Sequence, residues 1–144
     1  MLRQFLVGGA ASLVNIAVHA LVMLLVVRVA QAAGMKVRRH SSLLLVEVMI
    51  ATVLILMLTH TLEAFVWAFT YSLVGAAPEG ASHLYFAFVN YATLGYGDVL
   101  PVARWQMLGP LTAMNGMLLF GWSAAVIFEV LRRTLSRLDI LREE

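Results

Sequence analysis

Hydrophobic residues follow one another in three long runs, with few polar positions inside them. The runs cover residues 5–29, 43–71 and 105–131. Each exceeds the roughly 20 helical residues needed to cross a hydrocarbon core of about 30 Å. A fourth apolar segment, residues 81–92, has about 12 residues and is too short to cross. The pattern predicts an all-α membrane protein with three transmembrane helices and one short re-entrant helix.

Composition supports a membrane protein and excludes several other classes. The chain is 62% hydrophobic and 12% charged, whereas a soluble domain has about 45–50% apolar and 25% charged residues. Its cations lie beside the apolar runs rather than in a basic patch, so we expect no nucleic-acid partner. Cysteine is absent, which removes disulfides and thiolate metal sites. With no nucleophile-base pair and no phosphate loop, we expect neither an enzyme nor a cofactor.

The first run has two interpretations. Arg3 precedes it, and the small residues around Ala30 and Ala32 would suit a signal peptidase. Its 25 residues exceed the 7–15 of a usual signal-peptide core, so a retained transmembrane helix is favoured.

The distribution of cations predicts the orientation. If three helices cross, eight of the ten Lys and Arg residues lie on one side, which positive-inside bias makes the cytoplasm. They are Arg28, Lys36, Arg38, Arg39, Arg132, Arg133, Arg137 and Arg142. The N-terminus and residues 72–104 are then outside and the C-terminus is inside. The apolar segment within this outer loop should dip back into the membrane, shielded by protein or water.

The short segment is followed by Thr-Leu-Gly-Tyr-Gly-Asp, residues 93–98. Gly95 and Gly97 alternate with residues that carry side chains, and glycine readily adopts positive φ. Such alternation allows successive carbonyl oxygens to point the same way, and a row of carbonyls can replace the water around a dehydrated cation.

This peptide resembles the selectivity filter of potassium channels. The order of segments over residues 43–133 resembles small bacterial potassium channels of the two-helix pore family, and the stretches Asn115-Gly116 and Phe120-Gly121-Trp122-Ser123 are similar to a group of small bacterial ion-channel proteins. The resemblance implies an outer helix 43–73, a pore helix 81–92, a filter 93–98 and an inner helix 105–131. Residues 1–42 add a helix and a cytoplasmic loop, and residues 134–144 form a short tail.

The resemblance also implies a homotetramer in a bacterial inner membrane, with lipid around it and K⁺ as the transported ion and only metal. The ion-binding residues would be Thr93, Leu94, Gly95, Tyr96 and Gly97, with the Tyr96 ring packed against Tyr85, Phe86 and Phe88. Two departures stand out. Leu94 occupies a position that is usually Val or Ile, and Val89 replaces a Glu found in some members, so Asp98 must find another partner.

His60 and Glu63 lie three apart on one helical face and are expected to support the filter. Three roles stay open: hydrogen bonding that anchors the pore helix or Asp98, control of the filter by protonation, and metal binding. A lone His–Glu pair is poor evidence for metal. In the first helix, Asn15 and His19 are expected to make interhelical bonds.

Four residues of the third run are candidates for the gate or cavity. Asn115 would line the cavity or mediate packing, and Gly116 would be a hinge or a close-packing site. Gly121 is a further gate candidate. Glu129 would form a ring of carboxylates or pair with Arg132 or Arg133.

Two functions from different classes remain. The first is a potassium-selective channel that conducts passively through a tetrameric pore. The alternative is a non-conducting subunit that keeps the pore fold as a structural or partner-binding element. We expect no voltage sensor, because no helix has Arg at every third position, and the tail is too short for a regulatory domain.

Overall fold

The computed structural model describes residues 1–34 and 42–140, and these residues form four α-helices. They are α1 (Leu2–Gly34), α2 (Ser42–Val74), α3 (His83–Tyr91) and α4 (Leu108–Ile140). A short 3₁₀ helix, Ala103–Trp105, precedes α4, and the described residues contain no β-strand. The all-α prediction is therefore confirmed.

The three long helices have the length and composition of membrane spans. Each has 33 residues, or about 50 Å at 1.5 Å per residue. Their apolar spans are Leu2–Arg28, Leu43–Val74 and Ala103–Ser136. Large apolar side chains such as Leu25, Leu58 and Leu118 remain exposed on the outer faces of the helices. Lipid is the solvent that suits such surfaces, so the chain is an integral membrane protein.

The short helix α3 begins where its sequence provides a cap. Ser82 has extended backbone dihedrals, and its hydroxyl accepts a hydrogen bond from the Tyr85 amide at 3.3 Å. Serine is a preferred N-cap because it satisfies an amide that the first helical turn leaves free. The helix is three residues shorter than the predicted segment 81–92.

Both long neighbours of α3 hold it through an aromatic core. Helix α3 contacts α2 and α4, and Phe86 packs on Tyr71 with ring centroids 4.9 Å apart. Trp67, Trp105 and Leu108 complete the buried centre of this core. The loop after residues 93–98 is fixed to the end of α2, because the Val102 amide donates to the Ala76 carbonyl at 2.9 Å.

Helix α1 belongs to the same packed unit. It contacts α2 and α4, and the side-chain oxygen of Gln4 accepts from the Met107 amide at 2.8 Å. Asn15 and His19 are completely buried between helices. Removal of α1 would take the His19 donor from the Glu63 carboxylate and the Asn15 donor from Asn115 inside the membrane, so the structure supports a retained helix over a cleaved signal peptide.

Contacts between helix ends show which ends lie on the same side of the bundle. The start of α1 lies beside the start of α4 through Gln4 and Met107, and the end of α2 lies beside Val102. Residues 93–98 are therefore at the same end of the bundle as the N-terminus, as predicted for three crossings. Of the cations that predicted the orientation, Lys36, Arg38, Arg39 and Arg142 lie outside the described residues.

Gly116 lies at a very close approach between α4 and the end of α3. A Cβ atom added there would be 2.1 Å from the Tyr91 carbonyl oxygen. Helix α4 continues without a break through Gly116 and Gly121. Of the two interpretations of Gly116, the structure supports close packing rather than a hinge.

We expect Gly116→Ala to destabilise the protein, because the new methyl group would meet backbone that cannot rotate away. Overpacking of this kind costs about 1–3 kcal/mol. The matched control is Gly121→Ala, since nothing lies within 4 Å of a Cβ at that position and alanine favours a helix by up to about 1 kcal/mol. Thermal unfolding in detergent should show a lower Tm for the first variant only. Equal Tm values would contradict this assignment.

Candidate functional site

The peptide Thr93–Asp98 leaves the end of α3 through a tight turn. The Thr93 amide donates to the Asn90 carbonyl at 3.0 Å, and the Leu94 amide donates to the Val89 carbonyl at 2.9 Å. These bonds satisfy carbonyls that the last turn of a helix leaves free. The peptide therefore starts at a defined position relative to α3 and then continues without regular secondary structure.

Positive φ angles occur at every second residue of this peptide. They are 60° at Thr93, 56° at Gly95 and 78° at Gly97. Thr93 is the one non-glycine residue with positive φ among the described residues, and a β-branched residue is strained in that region. Strained backbone of this kind clusters at functional sites. The two glycines accept the conformation without strain because they lack a Cβ atom.

Every residue of the peptide is exposed in the single chain. The side chain of Tyr96 is 67% exposed and that of Leu94 is 53% exposed. We expected Tyr96 to pack against Tyr85, Phe86 and Phe88, but Phe86 is buried and packs on Tyr71 instead. Within one chain, the aromatic packing expected for Tyr96 is therefore not made.

Asp98 at the outer end of the peptide is bonded to the first turn of α3. The Tyr85 hydroxyl donates to Asp98 Oδ2 at 2.6 Å. This hydrogen bond to the carboxylate raises the pKa of Tyr85 above its ordinary value, so the hydroxyl keeps its proton at neutral pH. Tyr85 is thus the partner that Asp98 needed in the absence of a Glu at position 89. The expectation that His60 and Glu63 anchor Asp98 is not met.

His60 and Glu63 instead contact the opposite end of α3. The Tyr91 hydroxyl donates a very short hydrogen bond to Glu63 Oε2, and His60 Nδ1 lies 2.9 Å from the same hydroxyl. Tyr91 is the last residue of α3, two positions before Thr93. These two residues therefore hold the end of α3 that precedes the peptide Thr93–Asp98.

A third residue, from α1, completes this arrangement. His19 Nδ1 lies 2.8 Å from Glu63 Oε1, and His60 Nδ1 lies 2.8 Å from Glu63 Oε2. Glu63 and His19 are completely buried. The sequence predicted an interhelical bond for His19 without identifying its partner, because four-residue spacing with Asn15 shows only that both lie on one face of α1.

Glu63 is a buried carboxylate whose two oxygens receive three donors. With both imidazoles protonated on Nδ1, His19 donates to one oxygen while His60 and Tyr91 donate to the other. Among the described residues, the two histidines are the only basic groups within ion-pair distance of this carboxylate. The hydrogen bonds offset part of the cost of placing a charge at this depth.

Asn115 lies in a polar network next to Glu63. Its side-chain oxygen accepts from Asn15 Nδ2 and Trp67 Nε1, both at 3.0 Å, and Asn15 also donates to the Glu63 carbonyl at 3.2 Å. The Asn115 side chain is only 3% exposed. Of the two roles considered for Asn115, the structure supports helix packing, because its side chain joins α1, α2 and α4 inside the bundle.

The other two gate candidates lie on the surface of α4. Glu129 pairs with Arg132 at 2.9 Å and with Arg133, so the interpretation as a local ion pair is supported. The opposite charges one turn apart satisfy the carboxylate within its own chain. Gly121 is exposed, with open space around it.

Together, these features define an integral membrane protein with a short helix and an irregular peptide inserted between two spanning helices. A protein-family model described as an ion channel matches residues 43–133, which contain α2, α3, the peptide and most of α4. The chain therefore belongs to this ion channel family. Helix α1 lies outside the matched residues. No curated protein and no solved structure gives a significant match to the chain.

We expect Tyr91→Phe to destabilise the folded chain. Loss of the hydroxyl removes a donor from a completely buried carboxylate, which costs about 1–3 kcal/mol. Tyr85→Phe is the matched control, because it deletes the same atom from an exposed bond to Asp98. Thermal unfolding in detergent should show a clear fall in Tm for Tyr91→Phe and almost none for Tyr85→Phe. Similar shifts in both variants would contradict the role given to Glu63.

Proposed function

We propose that the protein is a potassium-selective channel that conducts K⁺ passively through a homotetrameric pore. One observation carries the proposal: the peptide TLGYGD follows a short helix directly and has positive φ at Thr93, Gly95 and Gly97. The family match supports the coarser statement that the protein is an ion channel. The proposed activity is transport down a gradient and needs no catalytic group or cofactor.

The selectivity follows from the backbone of this peptide. Positive φ at alternate residues allows the carbonyl oxygens of Thr93, Leu94, Gly95 and Tyr96 to face one axis. Such oxygens replace the hydration shell of K⁺, and they compensate less well for the tighter hydration of Na⁺. Only the carbonyl of Leu94 would face the ion, so the departure from Val or Ile leaves conduction intact.

Four chains are proposed because one chain supplies only one wall of an ion pathway. The exposure of Leu94 and Tyr96 in a single chain supports an assembly of several chains. Irregular backbone at membrane depth must be shielded by protein or line a water-filled path. Neighbouring copies would cover these side chains. The C-terminal end of each α3 would then approach the central axis, where its partial negative charge favours a cation by up to about 1 kcal/mol.

The proposed orientation places the N-terminus and the filter outside and the C-terminus in the cytoplasm. It rests on the positive-inside bias of the cations and on the filter lying at the N-terminal end of the bundle. We propose the inner membrane of a bacterium as the location, because the resemblance is to small bacterial channels.

We expect the reconstituted protein to release K⁺ from liposomes and to be blocked by Ba²⁺. Flux is measured with a pH-sensitive dye and a proton ionophore under an outward K⁺ gradient. Gly95→Ala should abolish the flux, because an added Cβ is strained at φ +56°. Gly9→Ala is the matched control, since that position lies on exposed α1 surface with nothing within 4 Å.

Two results would contradict the proposal. A tetramer that passes no K⁺ in any lipid would favour the non-conducting subunit. Equal K⁺ and Na⁺ flux would leave a channel without the proposed selectivity.

We expect native mass spectrometry in mild detergent to show four copies of the chain. The physical reason is the exposed filter peptide, which one chain leaves unshielded. Glu79→Gln in the loop before α3 is a control that should leave the assembly unchanged. A monomer or dimer under conditions that retain bound lipid would contradict the fourfold pore.

A further inference from the structure

Three metal-binding side chains from two helices meet inside the bundle. The ligand atoms of His19, His60 and Glu63 all lie within 4.8 Å of one another. We call these residues the His–His–Glu cluster. Glu63 and His19 are completely buried, and 14% of the His60 side chain is exposed. The family match begins at residue 43, so it does not include the ligand from α1.

We propose that the His–His–Glu cluster binds a divalent transition metal ion of the Zn²⁺ class. Two imidazoles and one carboxylate form a typical protein donor set for Zn²⁺. Imidazole nitrogen also suits Cu²⁺ and Ni²⁺, whereas Mg²⁺ and Ca²⁺ prefer oxygen ligands alone. The chemistry of the donors therefore selects this class of metal.

The donor atoms already converge. Both histidines direct Nδ1 at the same carboxylate, each at 2.8 Å. Tetrahedral ligands at the usual Zn–N and Zn–O lengths are separated by about 3.3 Å. An ion would take the place of the two bridging protons, and the three donor atoms, which all lie within 4.8 Å of one another, would adjust to this spacing.

The charge of the cluster favours a bound cation. An ionised Glu63 with neutral histidines carries a net negative charge inside the membrane, where an unpaired charge is expensive. The described structure provides no Lys or Arg within ion-pair distance of it. A divalent ion would supply the missing positive charge at the point where the three donors meet.

The surroundings of the cluster resemble those of metal ligands. His60 Nε2 lies 2.8 Å from Ser123 Oγ, which fixes the ring so that Nδ1 faces Glu63. Such outer hydrogen bonds orient metal-binding histidines. The Tyr91 hydroxyl contacts both Glu63 and His60, so it lies where a fourth ligand or a bound water would be. His60 is the partly exposed member of the cluster, with 14% of its side chain exposed.

Metal binding would give α1 a defined role. The ion would join α1 to α2 and, through Tyr91, to the end of α3 before the filter. This goes beyond ion conduction, because the cluster contains none of the residues 93–98 and metal binding can be tested without measuring flux.

The test is Zn²⁺ binding to the full-length protein, purified in detergent without a polyhistidine tag. After equilibration with buffered Zn²⁺ and gel filtration, mass spectrometry of the metal should find one Zn²⁺ per chain. Competition with a chromophoric chelator then gives the affinity. His19→Gln and His60→Gln should each weaken binding by at least about 10–100-fold, the range for loss of an orienting residue. Ser123→Ala should weaken it within that range.

His83→Gln is the matched control. His83 is at the start of α3, where Ser82 caps the helix, and it is not part of the cluster. This variant should bind Zn²⁺ as the wild type does. Glutamine retains a hydrogen-bond donor for Glu63, so we expect the His19 and His60 variants to fold, which their gel-filtration profiles will check.

Several results would overturn the proposal. Folded wild-type protein without bound Zn²⁺ would show that the cluster holds only protons. Unchanged affinity in His19→Gln and His60→Gln, with loss in His83→Gln, would show an adventitious ion only. If the cluster variants do not fold, X-ray absorption of the Zn²⁺-loaded wild type tests the same site. We expect two imidazoles around the metal, and fewer than two would refute the site.

Discussion

The buried carboxylate of Glu63 is the constraint on which the arrangement of the bundle depends. An isolated carboxylate in the membrane interior costs several kcal/mol, so donors must surround it. His19 comes from α1, His60 from the same helix as Glu63, and Tyr91 from the end of α3. Because each hydrogen bond has strict geometry, satisfying this one group fixes the positions of three helices relative to one another.

The hydrogen bonds of the buried Glu63 carboxylate also affect the position of the peptide Thr93–Asp98. Helix α3 is only nine residues long, and both of its ends are held: Tyr85 is bonded to Asp98, and Tyr91 is bonded to Glu63. A short helix has few backbone bonds and is marginal by itself, so its position comes from these contacts and from the aromatic core. The close approach of Gly116 to Tyr91 fixes the same end from the side of α4.

Helix α1 makes several hydrogen bonds to the other long helices. Its Asn15 bonds Asn115 and the Glu63 backbone, its His19 bonds the Glu63 carboxylate, and Gln4 caps the start of α4. These are interhelical hydrogen bonds of the kind that hold helices together where lipid supplies no hydrophobic driving force. Residues 43–133, which match the ion channel family, therefore depend on α1 for some of the hydrogen-bond partners of their buried polar groups.

Much of this molecule could be predicted from local sequence signals. The length of the apolar runs measured against a bilayer predicted the helices, and the spacing of Gly95 and Gly97 indicated their positive φ angles. The partners of the buried polar groups could not be predicted. Helical spacing pairs His60 with Glu63, but which residue of α1 meets them depends on how the helices pack. Only the tertiary structure decided that His19 joins Glu63, because a contact between residues 44 positions apart is not encoded in any local pattern.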